Sequence, residues 1–245
     1  MVRTVHCKSS LRAGALKSGS PLARGAAAAL LQAGALCFVV AFGVAQARAA
    51  EIRVEAKADG PATIVLEGPI TKADLPAMER AVEEARRKAP KRNIVLSLNS
   101  LGGAHFEGLR IGLLLRREGI GTLLPPGAGC ASACSSIFFG GFDATTGKPN
   151  RVAYETARLG VHRMVRTEGR REPTPEETKR VEHAAQRYFD EAGVPARIQA
   201  KVFETPPNEL YVLTRADMIE SGIAILPVPP GATAGIARAG PHAGP

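Results

Sequence analysis

Three short stretches decide how this chain reads: Asn99–Gly103 (NSLGG), Gly129–Gly141 (GCASACSSIFFGG) and Ala157–Met164 (ARLGVHRM), about thirty residues apart. Each stands where a run of strand character ends, the position at which α/β proteins gather their reactive groups. The glycines of NSLGG let backbone N–H groups come close to a ligand. In GCASAC, Ser132 lies between alanines at a strand-to-helix turn, which exposes a hydroxyl. LGVH delivers His162 at a strand terminus. A nucleophile, a base and two sources of oxyanion donors are the parts that acyl transfer needs. Taken singly, each motif has a plain structural reading as a packed serine, a glycine turn or a hydrogen-bonded histidine; their order and spacing carry the functional one.

Outward from these motifs, β-rich runs alternate with amphipathic stretches. EIRVEA (51–56) and ATIVLEG (62–68) read as strands, and Thr71 with Asp74 three residues on reads as a cap for a helix running to Pro90. NIVLSLNS (93–100) is a buried strand, FEGLRIGLLLRREG (106–119) a helix stopped by Gly119, and IGTLLPPG (120–127) a third strand. GCASACSSIFFGG opens a helix of small residues, and ARLGVH (157–162) is again a strand. Helices from Pro175 to Ala192 and Pro195 to Glu204 follow, then LYVLT (210–214), a short helix from Arg215 to Ser221, and IAILPV (223–228). This alternation implies a mostly parallel α/β architecture. The segment 227–245, rich in Pro, Gly and Ala, is expected to be disordered.

The chain has 245 residues, 45% hydrophobic and 22% charged, and a formal charge of +9. Six basic groups and no acidic one fall within residues 1–49, which leaves 26 basic against 23 acidic beyond them, or +3. The basicity therefore belongs mostly to the leader. With aromatic residues at 4% and no Trp, there is no stacking platform, and nucleic acid is set aside as a partner. Ala26–Val44 is nineteen residues without a charge, followed by AQARAA; this is either a cleaved signal peptide or an uncleaved N-terminal membrane anchor. In both cases residues 50–226 form a domain outside the cytoplasm, periplasmic or secreted if cleaved, attached to the inner membrane and facing the periplasm if not. Beyond the leader only Cys130 and Cys134 remain. They read equally as a disulfide and as two small buried thiols; on a helix, i and i+4 would put their Cα atoms about 6 Å apart. No further His or Cys has the spacing of a metal site, and no cofactor motif is present.

The three motifs, with VLEGPIT (65–71) early and LTRADMIESGIA (213–224) late, resemble the catalytic subunit of Clp protease, ClpP, and its exported relatives with a C-x-S-A-C signature, within the crotonase-like superfamily. The resemblance spans Ile52 to Ile225. It implies repeated β-β-α units, Ser132 as nucleophile, His162 as base, and the backbone N–H groups of Gly103 and Ala133 as oxyanion donors. It also implies a peptide or unfolded protein substrate and assembly into homo-oligomeric rings. The family's third residue, an Asp, falls in FETPPNELYVLT (203–214), which contains none. Asn208 stands nearest to that place, with Glu209 as the alternative.

Two expectations therefore compete. One is an exported serine peptidase working without ATP. The other is an inactive envelope protein that keeps the fold for binding or assembly, favoured by the missing Asp and by the cysteines crowding Ser132. An acyl-CoA hydratase or thioesterase ranks below both, because export separates the chain from coenzyme A and no pair of carboxylates stands out. A Ser–Lys dyad lacks a lysine near Ser132.

Overall fold

The computed structural model describes residues 49–56, 60–90, 92–164 and 174–231. Of the expected leader only Ala49 falls among them, and residues 232–245 of the expected tail lie outside them. Among the described residues no helix is long and apolar enough to cross a membrane.

Strands β1 (Glu51–Ala56) and β2 (Ala62–Glu67) pair antiparallel. From β2 onward the main sheet is parallel: β3 (Ile94–Asn99), β4 (Gly121–Leu124), β8 (Arg151–Tyr154) and β11 (Ile223–Leu226) complete the order β1-β2-β3-β4-β8-β11. A run such as ATIVLE, almost wholly buried, suits a strand covered on both faces, as parallel sheets require. Helix α1 (Asp74–Lys88) makes the crossover from β2 to β3, and α2 (His105–Glu118) the one from β3 to β4. α1 buries Met78, Ala81, Val82 and Ala85, a single stripe at helical spacing. Its start differs from the expected cap. The Thr71 N–H does donate to the Asp74 carboxylate at 2.6 Å, but the Thr71 hydroxyl accepts from Ala73, one residue short of the reciprocal bond, so only half of a capping box forms.

Between main-sheet strands the chain makes excursions that build a second, smaller sheet. β5 (Gly129–Ala131) leaves β4 and leads into α3 (Ala133–Phe139); β9 (Arg158–Val161) leaves β8; β10 (Tyr211–Val212) precedes β11. Their order is β10-β9-β5, with β5 and β9 parallel. The same excursion after β3 is reduced to Ser100, whose N–H donates to Gly129 (2.8 Å) and whose carbonyl accepts from Ala131 (3.0 Å). The units that begin with β3, β4 and β8 thus each contribute to the main sheet and reach the small one, and the mostly parallel α/β class and its repeated units are what the structure contains.

Two features were not expected from the sequence. The hairpin of β6 (Phe142–Asp143) and β7 (Lys148–Pro149) has strands of two residues. β8, a central strand, is only four residues long and carries Arg151 at its head. That side chain is 2% exposed, and burial lowers its guanidinium to about 10, still charged at neutral pH. Among the described residues no carboxylate pairs with it. It donates instead to the carbonyls of Phe139 (2.6 Å), Ala192 and Ser221 (3.2 Å). These carbonyls end α3, α4 (Pro175–Glu191) and α6 (Arg215–Glu220), so three helix C-termini supply the negative partial charge. The remaining helix, α5 (Ala196–Glu204), follows α4 and packs against it.

Candidate active site

Ser132 occupies the single residue between β5 and α3. Its φ of 57° and ψ of −124° make it the one non-glycine residue with positive φ among those described. Such a conformation costs about 1–3 kcal/mol and persists only where its surroundings impose it. They do so from several directions. The Ser132 N–H donates to Gly160 at 3.1 Å, and its carbonyl accepts from both the N–H and the hydroxyl of Ser135, at 3.0 and 2.6 Å. A disulfide joins Cys130 to Cys134 across it, with Cα atoms 5.2 Å apart. The pair does not share a helix: Cys130 lies on β5 and Cys134 on α3, so the bridge closes the turn that presents the serine. α2 then presses α3 into place so closely that a Cβ on Gly108 would lie 2.4 Å from the Ala133 carbonyl.

The NSLGG turn lies directly against this serine. A Cβ on Gly102 would fall 2.6 Å from Ser132 Cβ and 3.1 Å from the Ala133 nitrogen. One residue on, the backbone groups flanking Gly103 are taken by Ile70: its N–H donates to Gly102 at 2.8 Å, and its carbonyl accepts from Ala104 at 2.9 Å. In a parallel pairing of this kind the N–H of the residue between them points to the opposite side, so Gly103 keeps a donor turned away from Ile70. Ala133 is the first residue of α3, and its N–H therefore has no partner within the helix.

β9 runs beside β5 with Gly160 opposite Ala131, which brings the ends of both strands, and so Ser132 and His162, to one edge. His162 Nδ1 lies 3.0 Å from the carbonyl of Arg163. A carbonyl can only accept, so in this contact Nδ1 carries a proton, and in the neutral ring that leaves the lone pair on Nε2.

Asn208 and Glu209 are not brought to the histidine. Both are exposed, and no hydrogen bond or ion pair joins either to His162. The chain direction explains this. The Arg163 N–H donates to Thr205 (2.9 Å) and Tyr211 pairs with Val161, so the intervening residues must turn, closed by the Glu209 N–H on Pro206 at 3.0 Å. Leu210 then covers Gly160, and Glu209, with Glu204 and Lys201, lines an open depression of about 210 Å³.

The side chain that does meet His162 is one the sequence reading passed over. His105, the first residue of α2, places its ring 5.4 Å from that of His162, edge to face at 80°. It is 8% exposed, and its Nδ1 is buried without a hydrogen-bond partner. Burial, with the facing His162 adding to it, lowers its imidazole to about 4, so it is neutral at pH 7. Its adjacency to the Gly102–Gly103 turn was the available signal. Among the described residues no three His, Cys, Asp or Glu side chains gather into a metal-binding cluster.

Comparison with known proteins adds the fold. No family model matches the chain, and no curated protein does. Solved structures match: ClpP1 from Listeria monocytogenes has a TM-score of 0.52 at 14% identity, over 67% of this chain and 91% of that one. A point mutant of the same protein gives 0.50 at 15% identity, over the same shares. The chain has the ClpP fold. A membrane-bound stomatin-specific protease also aligns, at a TM-score of 0.49 and 19% identity, over 66% of this chain and 77% of that one. At these identities the ClpP likeness establishes architecture, and the chemistry rests on the residues of this chain.

Proposed function

We propose that the chain is an exported serine hydrolase that cleaves peptides. The observation that carries this is the positive-φ turn at Ser132, which stands at the same sheet edge as the backbone donors of Gly103 and Ala133 and as His162, whose Nδ1 is engaged by a carbonyl. In the proposed reaction Ser132 Oγ attacks the peptide carbonyl carbon while its proton passes to His162 Nε2. The N–H groups of Gly103 and Ala133 stabilise the oxyanion, and the C–N bond breaks as the imidazolium returns the proton to the leaving amine. Water then repeats the sequence and releases the acid. The Arg163 carbonyl accepts from Nδ1–H throughout and so takes the orienting part that the resemblance gave to Asn208, or to Glu209 as the alternative.

Outside the cytoplasm no ATP-driven unfoldase can feed such a site, so the substrates are peptides or unfolded segments. The ClpP fold supports a homo-oligomer as the working form. The long apolar stretch 26–44 supports either cleavage near Ala49 or attachment to the inner membrane.

A second reading, an inactive ClpP-fold protein with a binding or assembly role, is favoured by one observation: among the described residues no carboxylate is hydrogen-bonded or ion-paired to His162. Incubation of the exported domain with a mixture of denatured polypeptides separates the two. The hydrolase reading expects new peptide termini that Ser132→Ala abolishes, whereas termini formed equally by wild type and Ser132→Ala, or by neither, support the binding reading.

A further inference from the structure

The feature that neither core packing nor the proposed chemistry has used is His105. Its site is closed, since the residue is 8% exposed, yet the ring nitrogen Nδ1 has no partner there. A buried polar atom left unpaired costs stability that an apolar side chain of similar size would not, so packing alone gives no reason for a histidine. What the ring touches is His162, edge to face, at a centroid distance of 5.4 Å within the range that aromatic pairs favour. His105 also opens α2 directly after the Gly102–Gly103 turn, so one rigid element carries both the backbone that faces Ser132 and the ring that faces the histidine.

We infer that His105 is a positioning residue for His162, its flat ring holding the imidazole in a single rotamer for its reaction with Ser132. This rests on the hydrolase reading above. In a triad a carboxylate restrains the histidine from the Nδ1 side; here the Arg163 carbonyl restrains Nδ1, and a carbonyl on the adjacent residue moves with the ring's own backbone. A second, independent contact is needed to fix χ1 and χ2, and the His105 ring supplies it from α2.

The test compares His105→Phe with His105→Leu in the exported domain, reading fluorophosphonate labelling of Ser132 and the ring NOE pattern of His162. Both replacements fill the site and remove the orphan nitrogen, so both should fold and melt no lower than wild type. Phe keeps a flat ring and should label at a rate within about threefold of wild type, whereas Leu, which cannot hold the ring, should label on the order of tenfold to a hundredfold more slowly, the scale of loss when a reacting group is misplaced. His162 should show one ring orientation in wild type and the Phe variant and an averaged one in the Leu variant. Equal labelling by both variants would overturn the inference. Should wild type fail to label at all, the hydrolase reading falls and the NOE pattern decides alone: a single His162 orientation in all three proteins would also overturn the positioning role.

Discussion

At Ser132 a conformation that L-residues avoid is held by a hydrogen bond on each side of the peptide, a disulfide and a glycine that leaves no room for anything else. Gly102 is the sharpest probe of that arrangement. Its φ is +101° and an added Cβ would overlap Ser132 Cβ, so Gly102→Ala should cost about 2–4 kcal/mol and abolish reactivity at the serine. Gly147, with φ +67° and nothing within 4 Å, is the comparator: Gly147→Ala should cost only about 1 kcal/mol in urea unfolding and leave the serine reactive. Equal losses for the two variants would remove the claim that Gly102 shapes the site. His105 supplies a pH signature. Its imidazole titrates near 4 when folded against an ordinary 6.5, so between those values the unfolded chain binds a proton that the folded one refuses. Stability must therefore fall as pH falls through this window, by up to about 3 kcal/mol from this group. Urea midpoints at pH 7 and pH 4.5 should converge in His105→Phe relative to wild type; an unchanged difference would contradict the burial assigned to this ring. The placement of Ser132 and His162 at strand ends was legible in the sequence, because each follows a short apolar run beside small residues. His105 was not, because its partner is 57 residues away and only the small sheet brings the two together. Asn208 was assigned by analogy of position, which the turn at Pro206–Glu209 defeats.

Among the elements, periodicity read correctly wherever a stretch was long enough to show one: α1, α2, α4, α5, β2 and β3 all stand within a residue or two of their expected places apart from the start of α1. β8 did not announce itself. RVAY is four residues with an arginine at its head, and an arginine in a central strand argues against that strand until the three helix C-termini that receive it are known. The strand-to-helix junction of β5 and α3 was legible as a turn, while the cysteines on its two sides left two states open. The structure pairs them across the turn rather than along a helix. The loop they close is so short that its loss should cost only about 2 kcal/mol, or roughly 4–8 °C in melting temperature for a domain of this size. The effect on the serine should be larger, because the bridge ties together the two elements between which Ser132 is suspended. A Cys130→Ala, Cys134→Ala double variant that melts slightly lower but labels many times more slowly would agree with this; labelling at the wild-type rate would show that hydrogen bonds and packing hold the turn without the disulfide.

For the whole molecule, two sheets built from repeated β-β-α units bring the Gly102–Gly103 turn, the Ser132 turn and the end of β9 to one edge, although their sequence positions run from Gly102 to Val161. Fold class was legible because the alternation of buried strands and amphipathic helices leaves few other ways to cover a parallel sheet. The order of the small sheet was not, since strands of two to four residues carry no periodicity of their own. The proposed peptide hydrolysis presupposes that this edge is chemically competent. The measurement that tests it most directly is fluorophosphonate treatment of the folded protein between pH 6 and 9, read by intact mass and peptide mapping. The account predicts one adduct per chain, on Ser132, absent in Ser132→Ala and slowed on the order of a hundredfold in His162→Ala. A folded wild-type protein that takes up no adduct, or one whose labelling is indifferent to His162, would contradict it.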